Sequence, residues 1–289
     1  MKITMPVTEL VKRRFSCRAY LKQPLENSQI ESINALLSEI HSGPLGSPLR
    51  FKLIAASIEN LDALRGMGAY GAIKNPAGFL AGAVDSSLKN LEDYGFAVEK
   101  VILQITDMGL GTCWLGGLFT RSSFAKALGL SEVEIMPAVV SLGKIGDLES
   151  AKKSLIRRLA GSAKRKPLQE IFFSDSFQSP MTAEAAGEFA PLLEIVQWAP
   201  SASNKQPWRI VKTDEHWHFF LNRTKGYSSG LAARLVKMAD IQRLDIGIAM
   251  CHWELGAHEM GLRGNWVIAA PNIENQNSST EYIVSWKRD

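Results

Sequence analysis

The sequence predicts an α+β protein made of two related halves. Amphipathic helix patterns alternate with short strand patterns along the chain. One apolar helix with the turn that follows it occurs twice, first near residue 100 and again near residue 250. The 289 residues are 46% hydrophobic and 21% charged, which is typical of a globular protein with a large core. That composition excludes disordered, collagen-like and coiled-coil classes.

The sequence contains no membrane, secretion or disulfide signal. Its best apolar run, residues 135–142, is far shorter than the ~18 residues of a membrane helix and contains Pro137. The first 15 residues lack the apolar core of a signal peptide. The three cysteines lie far apart and form no C-x-x-C pair. We therefore expect a cytoplasmic protein with no membrane partner, no disulfide framework and no metal site.

The first half predicts three helices and two strands. Apolar residues at spacings of three and four predict an amphipathic helix over 28–41, and the apolar run 51–56 predicts a buried strand. A long apolar helix is expected over 92–110, in a central position. The glycine-rich segment after it predicts a loop, followed by a helix over 121–129 and a strand within 136–146.

The second half follows the same plan in shorter form. We place the boundary in the Ser-, Pro- and Ala-rich stretch after residue 173, so that the halves are 1–173 and 174–289. Residues 168–173 are expected to form a strand that ends the first half. The second half predicts a helix over 191–199, a loop over 199–208 and a strand pair over 209–222 that turns near 213–215.

The two halves share a repeated segment that indicates duplication. Eight identities fall within 22 ungapped positions. Seven of them pair Asp93, Gly95, Ala97, Met108, Gly109, Leu110 and Trp114 with Asp245, Gly247, Ala249, Met260, Gly261, Leu262 and Trp266. Upstream, Pro48 and Arg50 align with Pro207 and Arg209 at a changed offset. Shared apolar composition alone does not place identical glycines and tryptophans in register, so we expect two copies of one helix–loop–strand–helix unit.

Positive charge is concentrated in the first half. It holds 22 Lys and Arg against 16 Asp and Glu, a net +6, whereas the second half holds 11 against 13, a net −2. Residues 151–167 contain seven of these cations and no acid. Such a run is compatible with a solvated helix face or with an anion site. For a chain of net charge +4, a small phosphate fits that anion site better than nucleic acid.

Three other catalytic patterns fail their sequence tests. Ser201 and Ser203 lack the G-x-S-x-G context of an acyl-transfer nucleophile. The segment GLGTCWLGG lacks dinucleotide-loop spacing and follows a predicted helix, not a strand. His258 has no second histidine at H-E-x-x-H spacing, so no zinc protease motif is present.

Four segments together resemble the nitroreductase family. They are RRFSCRAY at 13–20, GLGTCWLGG at 109–117, KRKPLQEIFF at 164–173 and PSASNKQPW at 200–208. The resemblance implies an α+β fold with mostly antiparallel sheets flanked by helices. It also implies FMN bound where two related subunits meet, because ordinary members are homodimers whose sites use both subunits.

This chain differs from ordinary members in how the motifs are distributed. The first half has Arg14, Ser16 and Arg18 but carries SGPLGSPLRF where the PSASNKQPW loop is expected. The second half has that loop but neither the arginine motif nor the basic tail. The resemblance therefore implies a fused, internal pseudo-dimer with one complete flavin site and one degenerate site.

The resemblance assigns each motif a role toward FMN. Arg14 and Ser16 would hold the phosphate or ribityl end, and Arg18 would reach the pyrimidine edge, where a cation favours the reduced, negatively charged ring. If residues 14–18 are extended, these three side chains point to one side. Arg165 and Lys166 would complete the phosphate clamp.

The remaining motifs would contact the ring and the ribityl chain. Backbone N–H groups of Trp114, Leu115, Gly116 and Gly117 would donate toward flavin N5 and O4. Pro200, Ser201 and Ser203 would line the ribityl and benzenoid flank, while Asn204 would anchor the loop or the cofactor by hydrogen bonds. No side chain is assigned as a proton-transfer catalyst, because the family's flavin carries the reaction.

The resemblance implies an FMN-dependent oxidoreductase. It would take hydride from NADH or NADPH and pass it to a small electron acceptor such as a nitroaromatic or a quinone. Two alternatives stay open: a flavin- or nucleotide-binding protein without turnover, and an anion- or nucleic-acid-binding protein that uses residues 152–166. The chain would act as a monomeric pseudo-dimer or as a homodimer.

Overall fold

The computed structural model describes residues 3–57, 61–117, 119–146, 164–224, 239–273 and 277–289. Helices and strands form two five-stranded sheets with two long helices packed between them. The α+β fold with two sheet-bearing halves is therefore confirmed. Most of the basic run, residues 151–163, lies outside the described residues.

The first sheet is antiparallel and belongs to the first half. Its strands are β1 (Leu49–Ala55), β2 (Gly78–Asp85), β3 (Leu110–Leu115), β4 (Glu134–Ile135) and β5 (Val139–Lys144). The order is β1-β2-β5-β3, and β4 pairs with the end of β2. β2 and β5 are buried along almost their whole length, which explains their near-continuous apolar sequences.

The second sheet repeats the four-strand path of the first and adds a strand at one edge. Its strands are β6 (Phe172–Ser174), β7 (Trp208–Thr213), β8 (His216–Asn222), β9 (Gly264–Val267) and β10 (Thr280–Arg288). The order is β6-β7-β8-β10-β9, antiparallel except for the parallel β6–β7 pair. Because β6 follows the basic tail, the end of the predicted first half extends the sheet of the second.

Helices pack against both sheets. They are α1 (Val7–Arg13), α2 (Asn27–Ser38), α3 (Asn90–Asp107), α4 (Arg121–Leu128), α5 (Leu168–Ile171), α6 (Ala183–Ala186), α7 (Ala190–Gln197) and α8 (Ile241–Glu259). Short 3₁₀ turns occur at Leu61–Leu64, Gly187–Phe189 and Ala202–Asn204. None of the described helices combines the length and the apolar character needed to cross a bilayer.

The central helices α3 and α8 cross at duplicated glycines. They share the most extensive contact of any two elements. A Cβ on Gly95 would collide with the carbonyl oxygen of Leu244, and a Cβ on Gly247 would collide with that of Glu92. Only glycine allows backbones to approach this closely. The aligned pair Gly95 and Gly247 therefore fixes how the halves meet.

Element boundaries differ from the sequence expectations at two motifs. GLGTCWLGG, expected as a loop, forms strand β3 through Leu115, and only its last two glycines leave the sheet. All residues of β3 except Trp114 are buried. The glycines of the motif favoured a loop and obscured this strand. Of residues 168–173, expected as a strand, Leu168–Ile171 form a helical turn and only the last two lie in β6. The sequence patterns also missed β2 and β10, although the apolar run at 78–84 and the alternation at 280–286 were visible signals.

Candidate functional site

A cavity of about 400 Å³ lies at the junction of the two halves. Its lining from the first half comprises Ser16, Arg18, Ala72, Ile73, Trp114, Leu115, Gly116, Gly117 and Ala138. Its lining from the second half comprises Pro200, Ser201, Ala202, Ser203, Ile241, Leu244, Asp245 and Ile248. Nine of the thirteen residues named from the sequence thus meet here, and both halves contribute.

The arginine motif enters the cavity as an extended segment. Helix α1 ends at Arg13, and the chain then pairs with the edge of the first sheet through the bond from Cys17 N to Thr112 O, 2.8 Å. This places Ser16 and Arg18 on the cavity wall. Arg18 Nη1 is buried and has no hydrogen-bond partner among the described residues. A buried guanidinium N–H of this kind is a ready donor for an anionic or carbonyl oxygen.

Arg14 takes a different direction. Its side chain is buried, and its Nε lies 3.7 Å from the Glu99 carboxylate. It lines a neighbouring cavity of about 200 Å³, together with residues at the start of β3. The expectation that Arg14, Ser16 and Arg18 face one side therefore does not describe Arg14, because the buried Glu99 attracts its guanidinium. Its contact with a phosphate remains a prediction.

Glu99 is the centre of a buried polar cluster behind the cavity wall. Its Oε2 accepts the indole N–H of Trp114 at 2.8 Å, and its Oε1 lies 3.2 Å from His252 Nε2. Burial raises the pKa of Glu99, but the bond from His252 and the charge of Arg14 outweigh it and hold that pKa below its ordinary value. Glu99 is therefore a carboxylate that orients Trp114.

His252 completes this cluster. Its Nδ1 lies 2.9 Å from the carbonyl oxygen of Ile195. Its Nε2 faces the Glu99 carboxylate. The buried imidazole thereby links α3 of the first half, which carries Glu99, to α8 of the second half.

The end of β3 continues into the cavity wall. Trp114 and Leu115 finish the strand, and Gly116 and Gly117 continue along the cavity wall. A Cβ on Gly116 would lie 3.0 Å from Ile241 Cδ1, so a larger residue would narrow the cavity. The glycines keep the backbone accessible to a ligand.

The PSASNKQPW loop forms the opposite wall in a strained conformation. Ser203, Asn204 and Gln206 all adopt left-handed backbone angles, with φ of 49°, 52° and 47°. Such angles cost non-glycine residues about 1 kcal/mol or more each. Hydrogen bonds hold them in place: Gln206 N donates to Ser201 Oγ at 2.8 Å. The buried Gln206 side chain accepts the Lys166 N–H at 2.9 Å.

Asn204, Arg165 and Lys166 lie beside the cavity without lining it. Asn204 Nδ2 donates to the Lys164 carbonyl at 2.9 Å, so its loop-anchoring role is visible. Arg165 lies over the Trp198 ring, 5.0 Å from its centroid, and donates to the Trp198 carbonyl. The basic tail thus fixes the loop through its backbone. Its phosphate-clamp role remains a prediction.

Asp245 is a cavity residue that the sequence reasoning missed. It is 2% exposed, and its Oδ1 accepts the Ala202 N–H at 2.9 Å. Its Oδ2 is buried without a partner among the described residues. Burial raises the pKa of Asp245 well above its ordinary value. The sequence contained a signal for it, since Asp245 and Asp93 are one of the identities in register between the halves.

The corresponding position in the other half is closed. Asp93 accepts N–H groups of the 42–48 loop with both oxygens, from Leu45 at 2.7 Å and from Ser47 at 2.8 Å. Both oxygens of Asp93 are therefore occupied by its own loop, which agrees with one open and one degenerate site.

Neither cysteine nor metal chemistry is indicated in the described part of the chain. Cys113, beside the cavity, is buried, and burial raises the pKa of its thiol. It therefore packs as a small residue. The described residues contain no group of three or more His, Cys, Asp or Glu side chains placed to hold a metal ion.

Comparison with solved structures finds the same fold elsewhere. A Thermotoga maritima nitroreductase-type protein matches over 99% of this chain and 95% of its own, with 17% identity and a TM-score of 0.59. A Clostridium difficile nitroreductase family protein covers 57% of this chain at 17% identity and a TM-score of 0.42. One from Clostridium novyi covers 52% at 22% identity and a TM-score of 0.38. The chain spans most of the length of each.

The family assignment follows from a match along most of the sequence. No curated protein sequence matches this chain. A family model described as "Putative TM nitroreductase" matches residues 6–257, which include all four motifs and the first copy of the repeated segment. The chain therefore belongs to this nitroreductase family.

Proposed function

We propose that this protein is an FMN-dependent oxidoreductase that uses NADH or NADPH to reduce a small acceptor such as a nitroaromatic or a quinone. The observation that carries the proposal is the junction cavity, where Arg18, the Gly116–Gly117 backbone and the PSASNKQPW loop converge. When bound there, FMN would supply two-electron chemistry by accepting hydride and passing it on.

The residues present fit a flavin. A volume of about 400 Å³ lies within the usual range for cofactor pockets. Ala72, Ile73 and Ala138 offer apolar contact for a flat ring. The unpartnered Arg18 Nη1 offers a cation for a polar ring edge. These apolar surfaces and orphan donors match a ligand that combines an aromatic ring with polar edges.

The chain's own groups would bind and orient the reactants. Arg18 would stabilise negative charge on the pyrimidine edge, and Trp114, fixed by Glu99, would hold the adjacent backbone donors in place. Ser201 and Ser203 would face the polar side chain of the cofactor. No side chain of this set is required to transfer a proton.

We further propose that one chain builds a complete site. The cavity wall uses residues from both predicted halves of a single chain. No second subunit is then needed for flavin binding. This distinguishes the protein from ordinary members of the family, whose sites require two subunits.

The decisive test is spectroscopic. Purified protein loaded with FMN is expected to show a flavin absorption spectrum that bleaches on anaerobic addition of NADH or NADPH and returns with a quinone or nitroaromatic. Arg18→Ala provides the matched binding-defective control. A protein that binds FMN but is reduced by neither nicotinamide would instead be a flavin-binding protein without turnover. A protein that ignores FMN would overturn the proposal.

A further inference from the structure

The two duplicated aspartates differ in one respect that points to a ligand. Asp93, in the closed half, satisfies both carboxyl oxygens with backbone N–H groups of its loop. Asp245, in the open half, satisfies only Oδ1, through Ala202 N. Its Oδ2 is buried and unpartnered among the described residues, and Asp245 is one of the residues that line the cavity. A buried polar atom without a partner destabilises the free protein, so a bound molecule that completes it gains affinity.

We infer that Asp245 Oδ2 is a binding group for a hydroxyl of a polyol chain, which in the proposed function is the ribityl chain of the flavin. This role rests on the proposed flavin site and adds a residue that the sequence motifs do not contain.

The neighbours of Asp245 favour contact with hydroxyl groups of a ligand over contact with the polar edge of its ring. Ser201 and Ser203 lie on the same wall, contributed by the loop that Asp245 anchors. Ser201 Oγ accepts a bond from Gln206 N, so its own proton remains available to a ligand. The cation Arg18 belongs to the other half's wall. A chain of hydroxyls, each both donor and acceptor, matches this row of short polar groups.

Asp245 acts in its neutral form. No cation is paired with it among the described residues, and burial favours the uncharged acid. The Oδ1 carbonyl then accepts from Ala202, and Oδ2–H donates to the ligand hydroxyl. An asparagine reproduces this pattern, with a carbonyl for Ala202 and an N–H for the ligand, whereas an alanine removes both.

A comparison of three flavins distinguishes direct contact of Asp245 with the ribityl chain from a general effect on the site. FMN and riboflavin carry the ribityl chain, and lumiflavin carries a methyl group in its place. In fluorescence titrations, Asp245→Ala is expected to weaken FMN and riboflavin binding by roughly tenfold or more. Lumiflavin binding should change several-fold less. Asp245→Asn is expected to retain FMN affinity within about threefold.

The matched control is Asp93→Ala, which removes the same anchor from the closed half. It should lower thermal stability without changing the affinity for any of the three flavins. If Asp245→Ala does not fold, Asp245→Ser gives the same comparison, since its hydroxyl still reaches toward Ala202.

The outcomes distinguish this inference from the proposed function. Equal losses for lumiflavin and FMN in Asp245→Ala would mean that the aspartate acts only through the loop, and would overturn the inference. So would a failure of Asp245→Asn to retain FMN. A wild-type protein that binds none of the three flavins would instead overturn the proposed function itself.

Discussion

At the scale of single residues, two arginines of one motif lie in different surroundings. Arg18 lines the junction cavity and has a buried Nη1 without a hydrogen-bond partner in the described structure. Arg14 Nε and Nη1 likewise have no hydrogen-bond partner there, but Nε lies 3.7 Å from the buried Glu99 carboxylate. The same motif thus supplies one arginine to the cavity and one to the core. Sequence spacing alone does not separate them, because it carries no information about the carboxylate on α3.

This difference predicts that alanine at Arg18 mainly weakens FMN binding, whereas alanine at Arg14 mainly lowers stability. Arg18→Ala should weaken FMN binding by roughly 1.5–3 kcal/mol with little loss of stability. Arg14→Ala should lower the free energy of unfolding by about 3 kcal/mol, because it takes a cation from a buried carboxylate. Flavin titration and urea unfolding of both variants provide the measurement. Equal stability losses in the two variants would contradict the assignment.

The Trp114 indole allows a second comparison between the halves. It donates to Glu99, which is fully buried, whereas Trp266 donates to the partly exposed Glu254. Trp114→Phe should therefore lower the free energy of unfolding by about 1–3 kcal/mol. Trp266→Phe is the matched control and should cost less, since water can replace the lost bond. Urea unfolding at neutral pH measures both, and a larger loss for Trp266→Phe would refute this reasoning.

His218 makes stability depend on pH. It lies on the outer face of the second sheet, between the hydroxyls of Thr213 and Ser285 at 2.7 Å each. Burial, with a contribution from His216, lowers its pKa from 6.5 to about 4. Between these values the unfolded chain binds the proton and the folded chain does not, so stability is complete above pH 6.5 and falls as the pH drops toward 4.

The expected contribution of His218 is up to about 3 kcal/mol over that interval. The difference in unfolding free energy between pH 7 and pH 4.5 should be smaller in His218→Gln than in the wild type. His216→Gln serves as the control, because that ring is more exposed. An unchanged pH dependence in His218→Gln would exclude this residue as the source.

At the scale of elements, the crossing of α3 and α8 depends on two glycines. A Cβ at Gly95 or Gly247 would overlap a backbone carbonyl of the other helix, and backbone cannot move aside as a side chain can. Gly95→Ala and Gly247→Ala should each lower the free energy of unfolding by about 3 kcal/mol.

Gly68 is the matched control for the crossing glycines. It has ordinary backbone angles, and a Cβ there would meet nothing within 4 Å. Gly68→Ala should therefore leave the unfolding free energy within about 1 kcal/mol of the wild-type value. Tolerance of alanine at Gly95 and Gly247 in thermal or urea unfolding would show that the helices can separate without loss.

At the scale of the whole molecule, opposite charges join the two halves. Buried Glu92 on α3 pairs with Arg243 on α8 at 2.6 Å. In the alignment of the halves Arg243 corresponds to Leu91, so two copies of the first half would leave the buried Glu92 facing a leucine instead of a cation. The Glu92–Arg243 pair therefore favours pairing between unlike halves.

Removing one partner of the central pair should be costly. Arg243→Met leaves Glu92 buried and uncompensated, and should lower the free energy of unfolding by about 3–5 kcal/mol. The double variant Glu92→Met with Arg243→Met should recover most of that loss, because no buried charge remains. A double-mutant cycle by urea unfolding measures the coupling, and additive losses would show that the pair does not couple.

Patterns local in sequence predicted much of this protein. Apolar spacing gave the positions of α2, α3, α4 and α7 to within a few residues. Identities in register indicated two related halves, and four motifs indicated the family. These features depend on neighbours along the chain, so periodicity and motif spacing are sufficient to find them.

The tertiary structure decided the contacts between segments that are distant in sequence. It placed Arg14 against Glu99 and joined β6 to the second sheet. It also left Asp245 Oδ2 and Arg18 Nη1 without partners in two residues that line a cavity. Burial and hydrogen-bond satisfaction depend on which residues surround a group in space. The amino-acid sequence therefore determined the two-half α+β fold and its family, whereas only the packing of the halves decided which polar groups remain available to a ligand.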